Sequence, residues 1–372
     1  MGKAAHALSP AAPDTTRAVG AGFMLLALNP GSTSTKIGLF RDDARLHEEN
    51  LKVPDDLRAL DLWEQLAGRL DLVYAALARW RTSVADLSAV VARGGLLRPL
   101  ASGTYGINQR MLDDLKAGLQ GQHASNLGAA MAWELATPAH LPCFVVDPVS
   151  VDEFEPPARL SGLPELPRRS LLHALNMKAA ARRAAADLGI PLERSCFVLC
   201  HLGGGISVAP CRAGALIDAN NANEEGPFGP ERAGGLPSLS LVDLCFSGRY
   251  TRTELRRRLV GGGGMVAYLG TADAEAVLKR VGGGDAEATA VMQGMAYQVA
   301  KEIGAMATVL HGRVDAIVLS GGLARSPVFT GWVEERVGFL GKVLVYPGED
   351  EMMALVQGAL RVLKGEEIAK TY

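Results

Sequence analysis

Net charge, cysteine and aromatic residues are all scarce in this chain of 372 residues. Its 38 Lys and Arg residues nearly balance 40 Asp and Glu residues, which leaves a formal net charge of −2. A nucleic-acid-binding domain usually carries a strong basic excess, so we expect no nucleic-acid partner. No run of about 18 apolar residues occurs, and such a run is what a membrane-spanning helix requires. We therefore expect no membrane span.

The few cysteines predict a reducing environment. There are five, an odd number, and no secretion signal precedes them: Cys143, Cys196, Cys200, Cys211 and Cys245. Free thiols and a cytoplasmic location are the expectation. Residues 1–22 are small, polar and aperiodic, and His6 stands where a myristoylation signal needs Ser or Thr. They predict a disordered tail.

Glycine, in contrast, is abundant, with 43 residues. The glycines follow no G-X-Y period, which excludes collagen. A hydrophobic fraction of 48% and a charged fraction of 21% are typical of globular proteins. The length predicts roughly two domains, each large enough for its own core.

Short apolar runs alternate with longer segments of helical spacing, which predicts an α/β fold with strands covered on both faces. The predicted strands are 23–28, 37–41, 88–92, 143–147, 196–201, 206–211, 314–320 and 343–346. The predicted helices are 61–80, 123–136, 170–188, 286–310 and 351–363. Helix 286–310 is apolar on much of its circumference, which leaves a core helix and a subunit interface as alternatives.

Two segments share one pattern, a strand, a turn rich in glycine and hydroxyl residues, and a second strand. The first turn lies in residues 29–35 and the second in residues 201–207. Neither opens a helix, as a dinucleotide-binding fingerprint or a G-x-x-x-x-G-K-[ST] loop must. Such turns offer backbone N–H groups and hydroxyls to an anion. Together with the pair Gly321-Gly322 after a third strand, they predict a duplicated domain with a nucleotide cleft.

Seven stretches carry a family resemblance: 29–36 (NPGSTSTK), 90–97 (VVARGGLL), 102–105 (SGTY), 123–128 (HASNLG), 146–149 (VDPV), 168–176 (RRSLLHALN) and 296–304 (AYQVAKEIG). In this order they resemble the butyrate kinases of the acetate kinase (acetokinase) family, in the sugar kinase–Hsp70–actin superfamily. The resemblance covers nearly everything from residue 23 onward. It implies two ribonuclease-H-like domains of the actin-like ATPase fold, with ATP between them. Residues 23–150 and 353–372 would form domain I, and residues 151–352 domain II.

The resemblance implies reversible phosphoryl transfer between ATP and a short-chain fatty acid, giving ADP and an acyl phosphate. It also implies Mg²⁺ and a homo-oligomer, a dimer or larger. A carboxylate is already ionised at neutral pH, so no general base is needed. The site must instead bring two anions together, neutralise their charge and align them.

The resemblance implies catalytic roles for four residues: Arg93, His173, Arg232 and Asp147. The arginines would neutralise the carboxylate and the transferred phosphoryl group, and His173 would contact that group. Asp147 would support Mg²⁺ or orient an arginine. Acetate kinases carry the functional Arg shortly before the Arg93 position, and they follow the His173 position with a second His that is absent here. Surface salt bridges for the arginines and a turn role for Asp147 are the structural alternatives.

The remaining implied residues would bind nucleotide and metal. Phosphate would contact Asn29, Gly31, Ser32, Thr33, Ser34, His201, Gly203, Gly204 and Gly205, and adenosine would contact Gly321 and Gly322. Asn29 and Glu351 would hold the metal, with Asp350 as an alternative to Glu351. The tract Gly261–Gly264 has no ligand role that we can assign, and we expect a flexible loop.

Two other functions remain open. The chain could phosphorylate another substrate, such as acetate, propionate, a branched-chain acid or a sugar. Sugar kinases need a carboxylate base near the acceptor hydroxyl, which the Arg and His set argues against, but no motif identifies the acid's chain length. Alternatively, it could be a non-catalytic nucleotide-binding or filament protein, although proteins of the actin and Hsp70 type lack the paired Arg and the His.

Overall fold

The computed structural model describes residues 22–372, so the predicted N-terminal tail lies outside the described residues apart from Gly22. The chain divides into two compact units. Unit 1 contains the described residues up to Ser150 together with Asp350–Tyr372, and unit 2 is Val151–Glu349. Unit 1 therefore includes both Asp350 and Glu351.

Unit 1 is built on a seven-stranded sheet with the order β12-β5-β6-β4-β1-β2-β3. Strands β1, β2 and β3 form an antiparallel meander, β4 pairs in parallel with β1, and β6 pairs in parallel with β4. The strands are β1 (Met24–Pro30), β2 (Ser34–Arg41), β3 (Ala44–Lys52), β4 (Ala89–Arg93), β5 (Thr104–Gly106), β6 (Cys143–Val146) and β12 (Lys370–Thr371).

Unit 2 repeats that arrangement in a five-stranded sheet with the order β11-β10-β7-β8-β9. Again three strands form an antiparallel meander, the strand Ala316–Gly321 pairs in parallel with the first of them, and the strand Lys342–Pro347 pairs in parallel with Ala316–Gly321. The strands are β7 (Cys196–Leu202), β8 (Ile206–Arg212), β9 (Ala215–Leu216), β10 (Ala316–Gly321) and β11 (Lys342–Pro347). The shared strand order confirms the predicted α/β class and the two equivalent hairpins.

Helices cover both sheets because the central strands are apolar on both faces, whereas the edge strand β3 is largely exposed. In β7, Val198 and Cys200 join one core cluster while Phe197 and Leu199 join another on the opposite face, as the two-residue period of a strand requires. The unit 1 helices are α1 (Asp55–Arg58), α2 (Gln65–Arg79), α3 (Gln109–Ala117), α4 (Leu127–Ala136) and α12 (Glu351–Leu363). The unit 2 helices are α5 (Ala174–Leu188), α6 (Ser238–Phe246), α7 (Arg252–Leu259), α8 (Met265–Leu269), α9 (Ala274–Gly282), α10 (Ala286–Val309) and α11 (Pro327–Val337).

Helix α10 is a core helix, which decides between the two alternatives for this segment. Met292, Met295, Val299 and Ile303 are fully buried in the core of unit 2. All five cysteines are free. No helix within residues 22–372 is long and apolar enough to cross a membrane.

Three helices begin later than the periodicity predicts. In the segment 61–80, a 3₁₀ turn, Leu62–Glu64, precedes α2. The segment 170–188 becomes helical only at Ala174, and His173 occupies the N-cap with non-helical backbone angles. The His173 side chain contacts residues of β7 and β8, and these tertiary contacts override the helical pattern. The segment 123–136 similarly starts with a 3₁₀ turn, Ala124–Asn126, before α4.

Candidate active site

In unit 1, candidate residues converge where parallel strands end and a helix begins. Asn29 lies near the end of β1, Arg93 is the last residue of β4, and Glu351 is the first residue of α12. The Asn29 amide donates to Glu351 Oε2 at 2.5 Å. Arg93 Nη1 lies 3.0 Å from Glu351 Oε1 and 3.1 Å from Oε2. Carboxyl ends of parallel strands are where α/β sheets commonly bind ligands.

The same geometry distinguishes Glu351 from Asp350. Asp350 is the N-cap of α12, accepts a hydrogen bond from the Met353 N–H at 3.1 Å, and pairs with Arg45 at 2.6 Å. Its side chain is 55% exposed, whereas that of Glu351 is 14% exposed. Glu351 is therefore the acid that shares a site with Asn29 and Arg93.

These residues fit a magnesium ion. Mg²⁺ takes oxygen ligands, and it commonly binds through one or two carboxylates together with substrate phosphates and water. Glu351 supplies a shielded carboxylate, and the Asn29 side chain beside it supplies an amide oxygen. Among residues 22–372 no group of three or more His, Cys, Asp or Glu side chains is arranged for a metal. The further ligands of a magnesium ion here would be substrate phosphates and water.

The first predicted phosphate turn is short, and an open cavity lies beside it. It comprises Gly31–Thr33, because β1 continues to Pro30 and β2 starts at Ser34. The Gly31 N–H donates to Ser34 O at 2.8 Å, and Val53 N–H donates to Thr33 O at 3.0 Å. An open cavity of about 530 Å³ beside the turn is lined by Asn29, Pro30, Gly31, Ser34, Lys36, Glu48, Glu49, Asn50, Arg93 and His123.

Behind this turn lies a buried arginine that the sequence reasoning missed. Arg69 of α2 is 1% exposed, and its Nη1 donates to Gly31 O at 3.0 Å and to Thr35 Oγ1 at 2.9 Å. Gln65 Oε1 accepts from Arg69 Nε at 3.2 Å and from Nη2 at 2.9 Å. The signal was available, because Gln65 and Arg69 follow the same helical spacing as the buried Val73. A polar pair on an apolar helix face indicates a specific partner.

Asp147 follows β6 and has a left-handed backbone conformation, with φ +39°. It is 2% exposed, and its Oδ1 accepts from Ser102 Oγ at 2.6 Å and from Gly103 N–H at 2.8 Å. These contacts fasten the turn before β5 to the end of β6. The catalytic role that we assigned to Asp147 stays a prediction.

In unit 2, three side chains surround the second predicted phosphate turn, Gly203–Gly205. A Cβ at Gly203 would lie 2.7 Å from His201 Nε2, and one at Gly204 would lie 2.9 Å from Glu231 Oε2. A Cβ at Gly205 would lie 3.5 Å from Arg232 Cγ and Nε. The glycines at 203 and 204 thus allow side chains to approach the backbone more closely than another residue would permit.

His173 lies against this turn through His201. The two imidazole rings stack with centroids 3.9 Å apart and an interplanar angle of 15°. His173 Nδ1 is 2.9 Å from Ser207 Oγ of β8. On His201, Nδ1 is 2.9 Å from Asn176 Oδ1, and Nε2 is 3.3 Å from Glu349 Oε1. His201 therefore holds the His173 ring in place, and its own phosphate contact stays a prediction.

Arg232 has no counter-ion within residues 22–372, although part of its guanidinium is buried. Its Nε is buried and lacks a hydrogen-bond partner in the described part of the chain. A buried donor without a partner costs free energy, so such a group calls for an explanation. A guanidinium that lies beside a glycine turn and has an unused N–H donor is suited to bind an anionic ligand.

The tract Gly261–Gly264 packs against the segment that carries Arg232, which corrects our expectation of a flexible loop. Gly261 N–H donates to Glu231 O at 2.8 Å, and Met265 N–H donates to Gly229 O at 3.1 Å. A Cβ at Gly264 would lie 1.9 Å from Gly229 O and 2.5 Å from Arg232 O. Here glycine is required because two backbone segments are in direct contact.

Gly321 and Gly322, the pair predicted to contact adenosine, lie in different environments. Gly321 has φ +90° and exchanges hydrogen bonds with Gly348 at 3.0 and 2.9 Å, and its Cβ position would lie 2.5 Å from Leu202 O. Its backbone is therefore committed to packing inside unit 2. A Cβ at Gly322 would meet nothing within 4 Å. Open space for a ligand thus borders Gly322 rather than Gly321.

Two solved structures share the fold of this chain. Acetate kinase from Porphyromonas gingivalis superposes with a TM-score of 0.76 at 17% identity, covering 92% of this chain and 100% of that one. A propionate kinase from Francisella tularensis subsp. tularensis SCHU S4 gives 0.71 at 18% identity, covering 90% of this chain and 98% of that one. These likenesses establish the fold alone, which is the two-domain α/β fold of the actin-like ATPases.

Sequence similarity is more specific. The acetokinase family profile matches residues 166–341. "Probable butyrate kinase 2" of Caldanaerobacter subterraneus subsp. tengcongensis is 48% identical over 354 residues, which are 94% of this chain and 99% of that protein. The chain therefore belongs to the acetokinase family.

Proposed function

We propose that this protein is a short-chain fatty acid kinase that interconverts ATP and butyrate with ADP and butanoyl phosphate. The observation that carries the proposal is Arg232, a cation without a counter-ion beside the glycine turn Gly203–Gly205. The family membership of the chain and its 48% identity to a probable butyrate kinase support the choice of reaction and acid.

In the proposed reaction a carboxylate oxygen attacks the γ-phosphorus of ATP. A new P–O bond forms as the bond to ADP breaks, and no proton has to move. The chain must therefore supply positive charge and orientation rather than a base. We assign charge neutralisation to Arg93 and Arg232 and a contact with the transferred phosphoryl group to His173. To Asp147 we assign the support of Mg²⁺ or the orientation of an arginine.

We assign the nucleotide phosphates to the two hairpin turns. Asn29, Gly31, Ser32, Thr33 and Ser34 form the first, and Gly203, Gly204 and Gly205 beside His201 form the second. We assign contact with the adenosine moiety to Gly321 and Gly322. When bound at Asn29 and Glu351, Mg²⁺ would neutralise phosphate charge.

We also propose a homo-oligomer, as the family resemblance implies. Helix α6 has no buried residue, and Leu239 and Phe246 are 82% and 87% exposed. Such an apolar surface is usually covered by a partner, and a second copy of this chain is the partner that a homo-oligomer supplies. The mass in solution of Phe246→Glu, set against that of the unchanged protein, tests the assignment. A cytoplasmic location, where ATP is available, completes the proposal.

Acyl hydroxamate formation from acid, ATP and hydroxylamine tests the function. We expect product with butyrate, and the highest kcat/KM for butyrate in a panel of acids from two to five carbons. A higher kcat/KM for acetate or propionate would instead make this a kinase for that acid. If no acid gives hydroxamate, the proposal is wrong and a nucleotide-binding protein without kinase activity is favoured.

A further inference from the structure

Arg69 is a buried cation without a nearby acid. It is 1% exposed, and its four hydrogen bonds go to neutral acceptors, namely Gln65 Oε1 (twice), Gly31 O and Thr35 Oγ1. No carboxylate within residues 22–372 forms an ion pair with it. Buried charges are normally paired, because moving an ion out of water costs several kcal/mol. Burial accordingly lowers the pKa of the Arg69 guanidinium.

Open space on one side of the turn reaches this cation. Arg69 and Gln65 line a cavity of about 560 Å³ that Ser32 and Thr33 of the turn also border. The guanidinium therefore lies behind the turn backbone and beside space that a ligand can enter. Two of its hydrogen bonds hold Gly31, the first residue of the turn, and Thr35 in the strand that follows it.

We propose that an anionic phosphate group bound at the Gly31–Thr33 turn is the counter-ion of Arg69, and that Gln65 orients the guanidinium while leaving its charge uncompensated. A glutamate at position 65 would pair with Arg69 permanently. The neutral amide makes the same two hydrogen bonds and keeps the positive charge for the ligand. The proposal rests on the proposed function for the identity of the turn as a phosphate site.

The substitution Gln65→Glu tests this proposal because it should raise the stability of the protein and weaken its binding of phosphate. The new carboxylate should pair with Arg69, so the melting temperature without ligand should rise. Inorganic phosphate should bind about tenfold more weakly, as expected when a unit charge acting over roughly 10 Å at an effective dielectric constant of roughly 20 is cancelled. Gln357→Glu is the control, because it adds the same charge at an exposed position of α12. If Gln65→Glu binds phosphate as tightly as this control, the proposal is refuted.

A second pair of variants covers the case in which Gln65→Glu fails to fold. Arg69→Lys keeps the charge but loses the planar fork, whereas Arg69→Gln keeps two N–H donors but loses the charge. We expect phosphate affinity within about threefold of the original for Lys and about tenfold weaker for Gln, measured at constant ionic strength. Equal losses in both variants, or none, would mean that Arg69 only braces the turn.

The bound phosphate could come from a nucleotide or from an acyl phosphate. Titrations of Arg69→Gln with ADP and with acetyl phosphate distinguish these sources, and an unchanged affinity for both would contradict the proposal. Phosphate binding is measured without turnover. A protein without kinase activity could therefore still show the predicted effect of Arg69 on phosphate binding. Likewise, an active kinase could still fail this binding test.

Discussion

Replacing Gly264 by alanine tests whether the Gly261–Gly264 tract positions Arg232. Gly264 has φ +59°, and its Cβ would lie 1.9 Å from Gly229 O, where real contacts of this kind are not shorter than 3.0 Å. The two backbones must therefore separate by about 1 Å, which moves the Arg232 segment. Gly284 provides the matched control, because it has φ +85° and its Cβ would meet nothing within 4 Å.

Two free-energy costs separate the variants. Alanine with a positive φ costs roughly 1–2 kcal/mol at Gly284. Gly264 combines φ +59° with ψ −134°, a conformation nearly confined to glycine, so alanine there costs roughly 1–3 kcal/mol. Only Gly264→Ala adds overpacking, worth roughly 1–3 kcal/mol. We expect the free energy of unfolding to fall by about 1–2 kcal/mol in Gly284→Ala and by about 2–6 kcal/mol in Gly264→Ala.

The effect on catalysis should be larger and more selective. A displacement of about 1 Å in a catalytic group can cost about 100-fold in rate. In the hydroxamate assay we expect kcat to fall about 100-fold in Gly264→Ala and to stay within about twofold in Gly284→Ala. Both must be measured below their melting temperatures. Equal kcat values in the two folded variants would show that the tract does not position Arg232.

Further predictions concern charge. Arg232→Ala should lower kcat about 10³-fold, by analogy with arginine fingers, and a coupled ADP assay that finds kcat unchanged would remove its proposed role. Glu351→Gln should weaken Mg²⁺ activation at least about tenfold, seen as a higher Mg²⁺ concentration for half-maximal rate. Burial raises the pKa of Glu302 above the ordinary Glu value of 4.5. The folded protein therefore holds a proton at Glu302 more readily than the unfolded chain does, and the free energy of unfolding falls as the pH rises above 4.5. Glu302→Gln should therefore raise the melting temperature relative to the unchanged protein, and the gain should grow with pH.

The three arginines beside the turns and strand ends have different electrostatic settings. Arg93 pairs with Glu351, whereas Arg69 and Arg232 have no counter-ion in the described part of the chain. A shielded cation without an acid raises the attraction for an anion more than an exposed one does, because solvent screens it less. Arg69 and Arg232 should therefore contribute most to binding phosphate, and Arg93 should respond to whatever binds Glu351.

The amino-acid sequence by itself determined the fold class, the two hairpins and the family. Strands and long helices depend on local spacing of apolar residues, which is written in the chain. The motifs around Asn29, Arg93 and His173 were likewise recognisable, because each combines several residues in a short stretch. Their number and order identified the family.

Only the tertiary structure decided the contacts between distant segments. Glu351 meets Asn29 across 322 residues of chain, and this separated it from Asp350. The Gly261–Gly264 tract proved to be a packed backbone contact, because its partner is the segment at Gly229–Arg232. The uncompensated charge of Arg69 depends on which acids are absent around it in space. Such relations arise from chain folding, and no local pattern encodes them.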